Sequence, residues 1–212
     1  MSDKIDEYIL ANSSPESPLL AELYRQTHLR VMNPRMISGH IQGRFLSFMS
    51  RMISPKRILE IGTFTGYGTL CLAEGLSRSG ILHTIDSDEE ILDFARPYFE
   101  RAGILNKLTI HHGDARTIMP GLEIRFQLIY IDGEKDEYPE YFKLAMSCLE
   151  NGGFIIADNV LWNNKVVQTP VKSDKATAGI RKFNEMLRKD DRVEEVILPI
   201  RDGLMLIQKI KE

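Results

Sequence analysis

From Arg57 onward, short apolar runs alternate with stretches whose apolar residues recur every three or four positions. The runs at 57–61, 81–86, 108–112, 128–132 and 154–158 predict five strands. Between them, Tyr138, Tyr141, Ala145 and Cys148/Leu149 mark one helical face, and Ile180, Phe183 and Leu187 another. This alternation predicts an α/β fold, a parallel sheet with crossover helices. The triplet Asn151-Gly152-Gly153, whose residues tolerate positive φ, is expected to stop the helix before the fifth strand.

The end of the sequence breaks the alternation. Two strand-like runs, 193–200 and 204–210, are separated only by Arg201-Asp202-Gly203. That gap is too short for a crossover helix, so the two strands are expected to form an antiparallel hairpin. Before Arg57 the pattern is helical, at 19–32 and at 39–52, with Asn33-Pro34 between. In the second helix Ile41, Phe45, Phe48, Met49 and Met52 share a face that covers the substrate end of the sheet or meets a second copy. The expected organisation is a single domain over 1–212, with a helical extension at 1–55 and a Rossmann-like core at 56–212.

Composition narrows the function classes. A net charge of −3 leaves no electrostatic footprint for bulk nucleic-acid binding. No apolar run approaches the roughly 20 residues that span a bilayer, and the acidic, polar first residues do not resemble a secretory signal. Cys71 and Cys148 form no CxxC pair and are expected to be free thiols in a reducing compartment, which implies the cytoplasm.

Three of the five predicted strands end in an aspartate, at Asp86, Asp132 and Asp158, and ligands of open α/β sheets bind at the carboxyl ends of strands. The first strand leads into Glu60-Ile61-Gly62-Thr63-Phe64-Thr65-Gly66-Tyr67-Gly68, with a helix expected from Thr69. Its GxxxGxG spacing departs from the GxGxxG that lays a pyrophosphate on a helix N-terminus, which argues against a nicotinamide-dependent oxidoreductase. S-adenosylmethionine carries no phosphate and suits the loop better, with Glu60 available to its ammonium group; a turn that needs glycine only for packing gives the same pattern. Asp86, placed to accept ribose hydroxyls, favours the cofactor reading over a simple helix cap. Asp114 and Ala115 follow the third strand, where adenine contacts or a plain turn are both expected.

Asp132 and the pair Asp158-Asn159 end neighbouring strands, an all-oxygen set that suits Mg²⁺ or Ca²⁺ and leaves positions for water and substrate. Separate helix-capping aspartates are the plainer alternative. His111 and His112 point to opposite faces of a strand and cannot chelate one ion together. His28, His40 and His83 are expected to be isolated. Lys135, three residues after Asp132, would have its pKa lowered beside a divalent cation and a sulfonium, and could then serve as a general base.

Three motifs carry a resemblance: Leu59-Glu60-Ile61-Gly62-Thr63-Phe64-Thr65-Gly66-Tyr67, Tyr130-Ile131-Asp132-Gly133-Glu134-Lys135, and Asp158-Asn159-Val160-Leu161-Trp162. In this order and spacing they resemble the cation-dependent O-methyltransferases, which include catechol and caffeoyl-coenzyme A O-methyltransferases, and in particular their small bacterial members. The resemblance implies a seven-stranded, mostly parallel sheet with an antiparallel last strand. It implies Asp132, Asp158 and Asn159 as ligands of Mg²⁺ or another divalent cation such as Mn²⁺ or Ca²⁺, and Lys135 with Asp132 as the catalytic pair. It assigns Met36, Glu60, Gly62, Thr63, Gly66, Tyr67, Gly68, Thr69, Asp86, Asp114, Ala115 and Asp132 to the S-adenosylmethionine site, with the Gln42-Gly43 pair in the motif ahead of the first strand. The implied acceptor is a small aromatic diol, with transfer RNA as the alternative through a basic cluster at Arg30, Arg35, Arg44, Arg51, Lys56 and Arg57; a homodimer is also implied. Three departures stand out: Gly68 replaces a usual serine, with Thr69 or backbone amides left to take its place; Gly133-Glu134 replaces a small or aromatic pair; Asn163-Asn164-Lys165 replaces a glycine-rich stretch near the substrate entrance.

Overall fold

The structure, a computed structural model, describes residues 3–212. Helices α1 (Asp3–Ala11), α2 (Pro18–Arg30) and α3 (His40–Ile53) precede the sheet. The start of α2 is set by Ser17, whose side chain accepts from the Leu20 amide, and by Pro18 in the first turn. α1 is not anticipated by the hydrophobic pattern, because Ile5, Tyr8 and Leu10 stay exposed and define no buried stripe.

The core runs β1 (Arg57–Ile61), α4 (Tyr67–Ala73), β2 (Ile81–Asp86), α5 (Glu89–Arg101), β3 (Leu108–His112), α6 (Ala115–Ile118), β4 (Phe126–Ile131), α7 (Tyr138–Cys148), β5 (Leu149–Ala157), α8 (Lys175–Arg188), β6 (Val193–Leu198) and β7 (Leu204–Lys209). The seven strands form one sheet in the order β3-β2-β1-β4-β5-β7-β6. β1 to β5 are mutually parallel, and β7 runs antiparallel to both β5 and β6. The expected parallel sheet and terminal hairpin are both present. The outer strand β6 carries exposed Glu194 and Glu195, charges that discourage a further strand from adding to the edge.

Side chains alternate between two apolar layers. Ile58, Leu82, Leu128 and Ile156 pack with Leu46 of α3, Leu72 of α4 and Phe99 of α5. Leu59, Ile129, Ile131 and Ile155 pack on the other face with Phe142 of α7 and Phe183 of α8. Each such fully buried side chain contributes about 1.5–3 kcal/mol relative to exposure. With α4 and α5 on one face and α7 and α8 on the other, the winding reverses between β1 and β4. A crevice therefore opens at their carboxyl ends, where ligands of such sheets bind.

Two sequence expectations are corrected. Asn151-Gly152-Gly153 does not stop a helix: α7 already ends at Cys148, because Leu149 turns extended and pairs with Phe126. The triplet lies inside β5 as a bulge, where Leu128 next pairs with Phe154 and Gly152 takes φ 77°. His83 is not isolated. Its Nδ1 lies 3.0 Å from His111 Nε2, and its ring meets the edge of Phe126, because parallel pairing of β2 with β3 puts both imidazoles on one face.

Cys71 is buried and Cys148 half-buried, both as free thiols. Among the described residues no helix is long and apolar enough to cross a membrane.

Candidate active site

The crevice is built by close approach of two strand ends. The Asp132 amide donates to the Ile61 carbonyl at 2.8 Å, and the Asp158 amide to the Ile131 carbonyl at 2.9 Å. Gly62 leaves β1 at φ 95°, and a Cβ there would collide with the Asp132 carbonyl oxygen. Glycine is therefore required at this position by both conformation and space. Gly66 has φ 86° and faces the Phe99 ring, so packing of α5 explains it.

Of the residues expected at the cofactor, Met36, Glu60, Gly62, Thr63, Tyr67, Gly68 and Asp132 line one narrow cleft above this crevice. Ile37, Ser38, Phe64 and Tyr130 complete its wall. Gly66, Thr69, Asp86, Asp114 and Ala115 stand off that lining. Asp86 ends β2 beside it, accepting from the Phe64 amide at 2.8 Å. The Asp114 carboxylate caps α6 through the Arg116 amide and pairs with the Arg116 guanidinium. The Tyr67 hydroxyl donates to Glu16 at 2.7 Å. A larger cavity of about 460 Å³ lies at the other end of the sheet, among Met49, Met52, Gln127 and Phe154, away from the strand carboxyl ends.

Glu60 is fully buried. Its Oε2 accepts from Thr69 at 2.5 Å and from Thr84 at 2.6 Å, while Oε1 has no partner and lies next to Gly68. The Thr69 hydroxyl is thus engaged with Glu60. Burial pushes the Glu60 carboxyl up to about 8, against the pull of the two threonine hydroxyls and with the Asp132 and Asp86 carboxylates adding to the rise. An orphaned, buried carboxylate oxygen beside a cleft is the partner that an amino-acid ammonium group requires, so this chain fits an S-adenosylmethionine tail.

Asp158 is almost wholly buried, and Asn159 follows it in the left-handed region at φ 58°. The Asp158 carboxylate accepts from the Asn159 amide at 2.7 Å through Oδ1 and from Gln42 Nε2 at 2.6 Å through Oδ2. No three Asp, Glu, His or Cys side chains converge as a ligand set among the described residues. The candidate set is two carboxylates and one amide, whose oxygens suit a hard divalent ion. Burial raises the Asp132 carboxyl, against the Lys135 ammonium and with the Asp158 carboxylate adding to the rise.

Lys135 Nζ donates to Asp132 Oδ1 at 2.8 Å and to the Tyr138 hydroxyl at 3.0 Å. Its pKa does not fall: burial, the largest single effect, pulls it down, but the charge and hydrogen bond of Asp132 together with Tyr138 and Asp158 hold it above the ordinary lysine value. The lowering expected from sequence requires the positive charges of bound ligands.

Several supporting residues were given no individual role by the sequence. The Tyr130 hydroxyl donates to Asp158 Oδ2 at 3.3 Å, and the Tyr138 hydroxyl to the Asp158 carbonyl at 2.8 Å. Buried Gln42, expected only as part of a motif, bridges Tyr130 and Asp158. No pattern marked it: α3 buries Gln42, Gly43, Leu46, Ser47 and Ser50, not the apolar face of Ile41, Phe45, Phe48, Met49 and Met52 expected from sequence, of which Phe48 and Met52 are exposed. The Trp162 indole N–H is buried without a partner close to Asn159, in a turn where Trp162, Asn163 and Asn164 all have positive φ.

The O-methyltransferase family profile matches residues 10–210. Caffeoyl-CoA O-methyltransferase 1 of Zea mays is 32% identical over 99% of this chain and 86% of its own length. An O-methyltransferase of Streptomyces achromogenes involved in tomaymycin synthesis, solved in complex with S-adenosylmethionine, aligns at TM-score 0.90 and 28% identity over 99% of both chains. An O-methyltransferase of Bacillus cereus, solved in complex with S-adenosylhomocysteine, aligns at TM-score 0.90 and 29% identity over 97% of both. The chain belongs to the O-methyltransferase family and is an S-adenosylmethionine-dependent enzyme that transfers a methyl group to oxygen.

Proposed function

We propose that the enzyme is divalent-metal-dependent and methylates one of two neighbouring hydroxyls on a small catechol-like aromatic. The observation that supports this reading is that Asp132 and the pair Asp158-Asn159 follow the ends of the neighbouring parallel strands β4 and β5, with Asp132 in the cleft that Glu60 and Met36 line. The naming of curated relatives for caffeoyl-CoA supports an acceptor of this phenolic class.

When bound, the sulfonium supplies an electrophilic methyl group and the divalent ion supplies Lewis acidity to an acceptor hydroxyl. In this reading Glu60 Oε1 receives the ammonium of the methionine tail, and Asp86 receives the ribose hydroxyls. Met36 would meet the cofactor from the cleft wall it lines. Asp132, Asp158 and Asn159 hold the ion, with Gln42 and Tyr130 fixing the Asp158 carboxylate. For Lys135 Nζ to accept the proton of the acceptor hydroxyl, its ammonium must first release a proton to solvent and give up its pair with Asp132. Much of the acceleration then comes from holding oxygen and methyl carbon in line.

The transfer-RNA alternative gains nothing from the basic cluster it needs, since Arg44 and Arg51 are both paired with Glu74. The test is methylation of vicinal-diol aromatics with and without EDTA, and in Asp158→Ala. Turnover is expected to vanish in both cases while S-adenosylhomocysteine still binds. Turnover that survives chelation refutes the metal-centred reading.

A further inference from the structure

The β6–β7 turn reaches across the mouth of the site. Arg201, at φ 51°, donates through Nη1 to the Ile37 carbonyl at 2.7 Å, to the Ser38 carbonyl, and to Gln42 Oε1 at 3.3 Å. Its Nη2 donates to the Arg35 carbonyl at 3.2 Å. Ile37 and Ser38 form part of the cleft wall. Gln42 carries the connection onward, because its amide nitrogen donates to Asp158 Oδ2 at 2.6 Å and to the Tyr130 hydroxyl at 3.0 Å. Gln42 is fully buried, and a donor on its oxygen side with a carboxylate on its nitrogen side leaves the amide one satisfied orientation.

We propose that Arg201 is a positioning residue that ties the cover of the cofactor cleft to the Asp158 carboxylate through Gln42. Cofactor binding and divalent-ion binding are then one coupled equilibrium. The inference rests on the reading of Asp158 as a metal ligand. A guanidinium is suited to the task, since its planar fork holds several carbonyl oxygens at once, whereas a lysine ammonium is a flexible point charge. A ligand in the cleft fixes the backbone at 35–38, which fixes Arg201 and Gln42, which in turn fixes the Asp158 oxygens. Linkage requires the effect to be the same in reverse.

The experiment measures S-adenosylhomocysteine affinity by calorimetry with and without Mn²⁺, and Mn²⁺ affinity by electron paramagnetic resonance with and without S-adenosylhomocysteine. In the wild type each ligand is expected to tighten the other by about fivefold or more, the lower end of common coupling strengths. Arg201→Gly removes the guanidinium while relaxing a left-handed backbone, so the turn itself is kept. In that variant the coupling factor is expected to fall to within about twofold of unity, and Arg201→Lys is expected to behave likewise despite its charge. Hydrogen exchange of the amides at 36–42 should quicken in both. The proposal is overturned if the wild type binds both ligands without coupling, if Arg201→Gly retains the coupling, or if Arg201→Lys restores it. A wild type that binds S-adenosylhomocysteine but no Mn²⁺ removes the metal reading itself, and this proposal with it.

Discussion

Lys135 Nζ and Asp132 Oδ1 stand 2.8 Å apart, three residues from each other along the chain, both largely screened from water. The pair places a candidate base against a candidate metal ligand, with the Tyr138 hydroxyl as the third member. Lys135→Met should lower kcat by about 10²–10⁴-fold, the usual range for a lost general base. S-adenosylhomocysteine affinity should change little. Lys135→Arg should not rescue turnover, because a guanidinium stays protonated. Steady-state kinetics beside calorimetry checks this, and a variant within tenfold of wild-type kcat would exclude the base.

Glu60 makes ligand binding pH-dependent. Its carboxyl is pushed up to about 8 by burial, so at neutral pH the ligand-free enzyme holds a proton there. An arriving ammonium favours the ionised form, and S-adenosylhomocysteine binding near pH 7 should release that proton. Calorimetry in buffers of different ionisation enthalpy reads it directly. Glu60→Gln should abolish the release and weaken binding about 10–100-fold, the worth of a charge-assisted hydrogen bond.

The same group affects stability. From about pH 4.5 to 8 the folded chain holds a proton that the unfolded chain has lost, so stability falls as pH rises through that window. The drop is on the order of a few kcal/mol. Thermal unfolding of the ligand-free protein should show this slope, and Glu60→Gln should flatten it.

The imidazole pair acts in the opposite sense. Burial pulls His83 down to about 4, and His111 and Arg57 add to the fall; burial lowers His111 as well. Between pH 6.5 and 4 the unfolded chain takes up protons that the folded chain refuses, so stability falls as pH drops. His83→Leu should remove most of that acid sensitivity, measured as the difference in Tm between pH 7 and pH 5. An unchanged difference would assign the sensitivity elsewhere.

Gly62→Ala is expected to be the most damaging single-methyl change in the crevice. The added carbon meets the Asp132 carbonyl oxygen, and φ 95° is strained for any L side chain. A loss of about 2 kcal/mol or more is expected from strain and separation of the β1 and β4 ends. Denaturant unfolding measures it, and S-adenosylhomocysteine binding should fall with it.

What could be read from the sequence is local. Asp86, Asp132 and Asp158 were legible because strand patterning shows where each strand stops, and the glycine loop because its spacing follows directly. What escaped is pairing at long range. Gln42 meets Asp158 across 116 positions, and Arg201 meets Ile37 across 164; no periodicity encodes either contact. The His83–His111 pair required the β2–β3 register, which assigns Ile85 opposite His111. The Asn151-Gly152-Gly153 triplet was misread because a bulge and a helix stop draw on the same backbone freedom, here taken by Gly152.

The strand order has a consequence for biosynthesis. β5 is flanked on one side by β4 and on the other by β7, which the ribosome makes only after α8 and β6. Until then Phe154, Ile155, Ile156 and Ala157 present an open apolar edge, the kind of surface that recruits other nascent chains. Arrival of the hairpin seals this edge and delivers Arg201 to the cleft together, so solubility and assembly of the site are completed in the same late event.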